Sequence, residues 1–204
     1  MKSRTRNVVR MLGLLFVAGC VVAATAQPLA AQVTIPQGST INAAEFSIYV
    51  LNGPTNQAVT VHRITQDWGE TSVTWNSFMS SYDPTVVGSF VTGSIGWQHV
   101  DLTGLVQAWV NGAYPNYGIV LMQGMTPFNL YHSSEAAYPS LVELRPKLEI
   151  WYTTEAGLTG HVLIQRPELA QDGVADAYIW QLYPNLNGNS AVLYTGNMNG
   201  AEKY

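Results

Sequence analysis

The feature of this sequence that most limits its fold is an alternation of apolar and polar residues that recurs in short segments. Phe46, Ile48 and Val50 occupy every second position of one such segment, which is the period of a strand with one buried face. Further predicted strands lie at 59–62, 73–75, 97–102 and 147–152. Turn-forming residues separate the strands at intervals of roughly eight to twelve residues, a spacing typical of antiparallel sandwiches. The sequence therefore predicts an all-β, antiparallel, jelly-roll-like β-sandwich.

One segment has helical spacing instead. Leu105, Val106 and Trp109 follow one another as on one face of a helix, and either Asp101 or Thr103 can cap its start. We expect one short helix of about two turns, whose apolar side covers an open end of the sandwich.

Two tryptophans flank a turn at Gly69 within the segment 62–75. Large aromatic side chains placed in this way can anchor a corner of a sandwich. Trp68 and Trp75, together with Trp109, are therefore expected to pack in the core.

The first 32 residues have the organisation of a signal peptide. Four basic residues fall within the first ten positions, and an apolar run over 11–26 follows them. We expect a helical signal peptide over 1–32, with cleavage after Ala26 or Ala31, and a secreted mature chain. The alternative is lipid attachment at Cys20, because Val17–Cys20 resembles a bacterial lipobox; the chain would then be anchored at the cell surface.

Charge and cysteine content exclude two other classes of protein. The chain has 9 basic and 13 acidic residues, and four of the basic ones belong to the signal segment. No basic patch remains to neutralise phosphates, which excludes nucleic acid as a partner. Cys20 is the single cysteine, so no disulfide can form within the chain.

Several short motifs occur in a fixed order over residues 40–153. They are Ile41–Phe46, Val61–Thr65, Asp67–Glu70, Val73–Asn76, Asp101–Thr103, Leu105–Trp109, Asn116–Gly118, Ser134–Glu135 and Pro146–Leu148. In this order they resemble the DNRLRE domain, a secreted bacterial and archaeal module that is classed among the carbohydrate-binding modules. The resemblance implies a domain that binds carbohydrate and catalyses no reaction.

The last residues, 172–204, resemble the beginning of the same domain. Two interpretations are open: these residues start a second repeat, or they supply strands that complete the first domain, whose range we take as 33–153. Residues 154–171 would be a linker in either case. We favour completion, because an unpaired sheet edge is a site of aggregation.

Aromatic side chains carry the ligand hypothesis, because a ring exposed on a sheet can stack on the apolar face of a sugar. Trp97, Trp151, Tyr131 and Tyr49 are the candidates to face outward and bind carbohydrate. The alternative is that these rings pack against the segment 172–194.

A structural calcium ion is a further expectation. Calcium prefers carboxylate and carbonyl oxygens, and Asp83, Asp172 and Asp176 are the candidate ligands. No segment has EF-hand spacing, and the four histidines have no metal-ligand spacing.

No catalytic motif occurs in the sequence. Asp67 and Glu70 straddle a turn, and we interpret them as capping residues that pair with Arg63 rather than as an acid–base pair. Glu135 and Arg145 are expected to form a structural ion pair. The predicted function is a non-catalytic secreted module that binds a polysaccharide or attaches to a cell-surface glycan. The alternative is a structural stalk or filament repeat that pairs with other copies of itself.

The N-terminus of the exported protein tests the two processing hypotheses. Intact-mass spectrometry is expected to give a mature chain that begins at Gln27 or Gln32, and Cys20→Ser should leave that mass unchanged. A mature chain that begins with an acylated Cys20 would contradict simple cleavage.

Overall fold

The computed structural model describes residues 10–14, 35–53, 55–124, 127–136, 139–166, 174–198 and 201–203. The strands form two antiparallel sheets and confirm the all-β sandwich that the alternating segments predict. Within the described residues, no helix has the length and apolar character needed to cross a membrane.

Most of the regular elements in the described residues are strands, and the helical elements connect them. The strands, numbered in chain order, are β1 (Arg10–Leu14), β2 (Thr40–Asn52), β3 (Ala58–Ile64), β4 (Tyr82–Val91), β5 (Gly96–Asp101), β6 (Ile119–Gln123), β7 (Asn129–His132), β8 (Lys147–Thr153), β9 (Thr159–Gln165), β10 (Val174–Ala177), β11 (Val192–Met198) and β12 (Ala201–Lys203). The helical elements are α1 (Trp75–Phe78), α2 (Thr103–Val110) and a 3-10 helix, Pro139–Leu144. A five-stranded sheet has the order β10-β1-β6-β3-β4. A seven-stranded sheet has the hydrogen-bonded order β12-β11-β7-β2-β8-β9. Its seventh strand, β5, pairs with β2 on the side opposite β8.

β2 is the centre of the seven-stranded sheet. Its residues 45–47 pair with β5 on one side and with β8 on the other, so the backbone groups of this stretch have partners on both sides. Phe46 and Ile48 are 0% exposed and Val50 is 2% exposed, as their alternation predicts. These side chains meet apolar residues of β3 in the main core, which is the cluster of buried apolar side chains between the two sheets. Burying each of them stabilises the fold by about 1.5–3 kcal/mol.

A second, smaller core lies on the outer face of the five-stranded sheet. Successive residues of β6 alternate between the two cores, with Leu121 in the main core and Val120 in the smaller one. The segment that follows β3 folds over this outer face and brings Phe78 onto it. Trp68 and Trp75 pack against the smaller core and are partly buried. The segment 62–78 therefore covers one sheet instead of filling the space between the two.

α2 confirms the short helix that the sequence predicts. Leu105, Val106 and Trp109 are buried in the main core, and the helix packs against β2. At the start of the helix, Asp101 accepts hydrogen bonds from the hydroxyl of Thr103 at 2.6 Å and from its N–H at 2.9 Å. These bonds lower the pKa of the Asp101 carboxyl.

The segment 76–84 has the polar and aromatic composition of a loop, but it contains most of α1 and the start of β4. Thr74 and Ser77 form a capping box, in which the hydroxyl of each side chain accepts a hydrogen bond from the backbone N–H of the other. This reciprocal capping stabilises a helical turn that no apolar periodicity in the sequence predicts.

Two other segments also differ from expectation. Part of the predicted linker 154–171 forms β9, which pairs with β8 along its whole length. Residues 10–14, expected in a signal-peptide helix, form β1 between β6 and β10. An apolar run fits either a helix or a strand, so its composition does not decide between them. The rest of the signal segment, including Cys20, lies outside the described residues.

Residues 174–198 lie against the rest of the sandwich. β11 pairs with β7, and Leu193 of this strand enters the main core. Ile179 enters the smaller core and is 0% exposed. The side-chain amide of Asn187 donates two hydrogen bonds of 2.8 Å to backbone carbonyls of the loop after β3. In the structure, this C-terminal segment therefore contributes strands and core residues to the sandwich.

Ile179→Ala is expected to lower the free energy of unfolding by about 2–5 kcal/mol, because it leaves a cavity in the smaller core. Leu182→Ala is the matched control, since Leu182 is 48% exposed, and it should change the free energy by less than about 0.5 kcal/mol. Urea unfolding followed by tryptophan fluorescence measures both effects. Small effects of equal size would contradict packing of the C-terminal segment onto the sandwich.

Candidate functional site

The outer face of the seven-stranded sheet carries an aromatic pair on β2 and β5. Tyr49 and Trp97 are direct cross-strand neighbours, and their ring centroids lie 5.4 Å apart in an edge-to-face arrangement. Because Ile48 and Val50 point into the core, the alternation of β2 turns Tyr49 to the outside. Both rings are partly exposed on the face where the sequence places them.

Polar side chains surround this pair. The Nδ1 atom of His99 lies 2.8 Å from Glu45 Oε1 and 3.0 Å from Ser47 Oγ. The ammonium group of Lys147 lies 5.3 Å from the centroid of the Trp97 ring, within cation–π distance. Ring faces and hydrogen-bonding groups therefore occur side by side on one sheet, an arrangement that suits a ligand with both C–H faces and hydroxyl groups.

His132 adds a further ring beside the aromatic pair. Its centroid lies 5.7 Å from that of Tyr49. Burial lowers the pKa of His132 below its usual value, so the imidazole is neutral at pH 7 and can both donate and accept hydrogen bonds. We call the whole group the β2–β5 surface. Its exposed or partly exposed members are Glu45, Tyr49, Trp97, His99 and Lys147, and the buried Ser47 and His132 lie next to them.

Trp151 lies on the same face but apart from the β2–β5 surface. Its cross-strand neighbour on β2 is Ala43, six residues from Tyr49, which corresponds to roughly 20 Å along the strand. Trp151 is 39% exposed, and its ring stacks on His161 with a centroid distance of 4.9 Å. The two aromatic groups therefore form separate patches.

Tyr131 does not face outward, and the sequence prediction for this residue is wrong. It is 0% exposed, and its hydroxyl lies 2.9 Å from Thr195 Oγ1. The cause is the register of β7, in which Tyr131 stands opposite Val50 of β2. Directly opposed residues share a face of the sheet, and Val50 faces the core.

Asp83 and Asp176, two of the three acids predicted to bind calcium, do not come together. Asp83 accepts hydrogen bonds from Thr85 N–H at 2.9 Å and from Arg63 at 2.8 Å, and these bonds lower the pKa of its carboxyl. Asp83 and Asp176 lie on opposite edge strands of the five-stranded sheet, about 19 Å apart across four strand spacings. Asp172 lies outside the described residues.

Asp176 instead belongs to a buried acidic cluster with Glu70 and Glu135. Arg166 pairs with both glutamates, at 2.9 Å from Glu70 Oε2 and in a close contact with Glu135 Oε1. The expected pairs of Glu70 with Arg63 and of Glu135 with Arg145 do not form. Arg63 pairs with Asp83, and Arg145 donates to the backbone carbonyls of Ala136 and Arg166.

Burial sets the electrostatics of this acidic cluster. Asp176 is fully buried, and desolvation, followed by the charge of Glu135, raises the pKa of its carboxyl well above the usual value. Desolvation also raises the pKa of Glu70. For Glu135, burial opposes ionisation, but hydrogen bonds within the cluster and the charge of Arg166 lower the pKa overall. The cluster therefore favours a proton on Asp176 when no other cation is bound.

No pattern in the sequence predicts that these residues come into contact. Arg166 lies 96 residues from Glu70 and 31 residues from Glu135. They meet because Arg166, which directly follows β9, lies against the loops that follow β3 and β7.

A comparison with models of protein families identifies a match. The model of carbohydrate-binding module family 96 matches residues 31–144, which is more than half of the chain. No curated protein matches the sequence, and no solved structure does.

Asp176→Asn tests the cost of the buried carboxyl. A raised pKa in the folded state means that Asp176 destabilises the fold increasingly as the pH rises above its unfolded value of about 3.9. In EDTA at pH 7, the variant is expected to be more stable than the unmodified protein by about 1–3 kcal/mol, because its amide can donate to the unpaired oxygen of Glu135. The gain should shrink as the pH is lowered toward about 4.

Asp83→Asn is the control variant, and we expect it to change the free energy of unfolding in the opposite direction. Urea unfolding measures both variants. The pKa of Asp83 is lowered in the folded protein, so its ionised form stabilises the fold above the unfolded pKa, and its loss should reduce stability at pH 7. Destabilisation by both variants at pH 7 would show that Asp176 is not a strained carboxyl.

Proposed function

The chain belongs to carbohydrate-binding module family 96, and on this premise we propose that its β2–β5 surface binds a polysaccharide or a cell-surface glycan. The observation that carries the proposal is the edge-to-face pair of Tyr49 and Trp97, set among polar side chains on an exposed sheet face. Both aromatic residues lie within the range that matches the family.

The chemistry of the β2–β5 surface suits a sugar ring. The C–H face of a sugar packs on an aromatic ring, and the exposed parts of Trp97 and Tyr49 offer such rings. Sugar hydroxyl groups need donors and acceptors at the edge of the ring. Lys147 supplies a charged donor, and Glu45 supplies a charged acceptor, next to the pair.

The second aromatic patch is a weaker candidate. Trp151 lies beyond the matched range 31–144, and His161 already stacks on its ring. A ligand that stacked on the same ring face would have to displace His161. We therefore assign the primary binding role to the β2–β5 surface.

The proposed role is binding without catalysis. The acids that cluster in the described residues are Glu70, Glu135 and Asp176. They accept hydrogen bonds from Arg166, from the Ser134 hydroxyl and from backbone N–H groups. This arrangement joins segments of the fold. We further propose that the protein acts outside the cell, as the basic and apolar character of residues 1–32 suggests.

Trp97→Ala is expected to weaken glycan binding at least tenfold, because a central aromatic contact commonly contributes about 2 kcal/mol or more. Affinity gel electrophoresis of the exported protein on a panel of neutral and acidic polysaccharides measures the loss. Tyr49→Ala should weaken the same glycan. Circular dichroism of each variant checks that the fold is retained.

Trp151→Ala is the matched control, since it removes an exposed tryptophan from the same sheet face outside the β2–β5 surface. It should keep the affinity of the unmodified protein. If Trp97→Ala binds normally and Trp151→Ala does not, the binding surface lies on β8 and β9 instead. If the unmodified protein binds no polysaccharide in the panel, the proposed function itself fails.

A further inference from the structure

Three carboxylates that are far apart in the sequence converge at one place in the fold. One oxygen from each of Glu70, Glu135 and Asp176 lies within 4.8 Å of the other two. Glu70 is in the loop after β3, Glu135 is in the loop after β7, and Asp176 is in β10. The cluster therefore joins loops from both sheets to the C-terminal segment.

Two buried oxygens in this cluster have no hydrogen-bond donor among the described residues. Asp176 is 0% exposed, and its Oδ2 atom accepts from Ser134 N–H at 2.8 Å, but its Oδ1 atom has no partner. The Oε2 atom of Glu135 is also buried without a partner. Ionised carboxylates can only accept, so neither oxygen can satisfy the other. Because buried polar atoms nearly always have a partner, the two oxygens indicate a bound cation or a shared proton.

The charges within the cluster do not balance. Within the part of the chain that the structure describes, the three carboxylates are paired with one guanidinium group, that of Arg166, which contacts Glu70 and Glu135. Arg145, the other buried cation in this region, donates hydrogen bonds to the backbone carbonyls of Ala136 and Arg166. A net charge of −2 therefore remains when all three acids are ionised, and one divalent cation would neutralise it.

The ligand atoms and their spacing favour calcium. All three side chains offer carboxylate oxygens, and no histidine or cysteine that would favour zinc belongs to the group. Calcium binds oxygens at about 2.3–2.6 Å, so two oxygens on opposite sides of the ion lie up to about 5 Å apart. The separation of at most 4.8 Å fits within this span.

We propose that Glu70, Glu135 and Asp176 bind one calcium ion, which fastens the C-terminal segment to the loops after β3 and β7. Asp176 is one of the calcium ligands that the sequence predicts, whereas the two glutamates replace the predicted Asp83 and Asp172. None of the three proposed ligands belongs to the β2–β5 surface, so the ion's role is to hold the fold together.

Calorimetric titration of calcium chloride into the exported, EDTA-treated protein tests the proposal directly. The expected result is one ion bound per chain. At a free calcium concentration a hundredfold above the dissociation constant, the melting temperature should rise by about 5–10 °C.

Two variants locate the ion. Asp176→Asn should abolish both the binding heat and the thermal shift, whereas Asp83→Asn, at an acid outside the cluster, should keep both. If calcium neither binds nor stabilises the unmodified protein, a proton shared between Asp176 and Glu135 satisfies the cluster and the proposal is wrong. A calcium response that is the same in Asp176→Asn would place the ion elsewhere and overturn it as well.

Discussion

The position of β2 between β5 and β8 is the constraint on which the rest of the structure depends. Partners on both sides fix the register of residues 45–47, and a fixed register also fixes which side chains face each way. One face gives Phe46 and Ile48 to the main core, while the other presents Tyr49 beside Trp97. A slip of one residue would exchange the two faces and remove the core and the aromatic pair together.

The C-terminal segment is held by two kinds of interaction with different consequences. Ile179 and Leu193 bury apolar surface in the two cores, and this burial supplies stability. Asp176 of the segment is buried and polar: its carboxyl accepts a hydrogen bond from Ser134 N–H, and its own N–H donates to Glu70. Desolvation offsets most of the attraction of a buried charged group. The contribution of these bonds is to restrict how the segment can pack, because another arrangement would leave the buried polar groups without partners.

Local periodicity predicted the elements that have several residues in a regular pattern. The buried face of β2, the outward direction of Tyr49 and the helix α2 follow from spacing alone. β7 has only four residues, too few for a period to show its buried face, and pairing with Val50 of β2 turns Tyr131 into the core. The partner of Glu70 could not be predicted either, because Arg166 reaches it only through the tertiary path of the chain.

The outward side chains of β2 and β5 take no part in either core. Glu45, Tyr49 and Trp97 stand on strands whose inward residues already secure the sandwich. Mutational drift at these positions can therefore change which ligand the face accepts while the thermodynamic cost to folding stays small. Because the core-forming side chains and the outward side chains lie on opposite faces, the sheet is a practical scaffold for directed evolution. A combinatorial library at the outward positions would leave the interior packing unchanged.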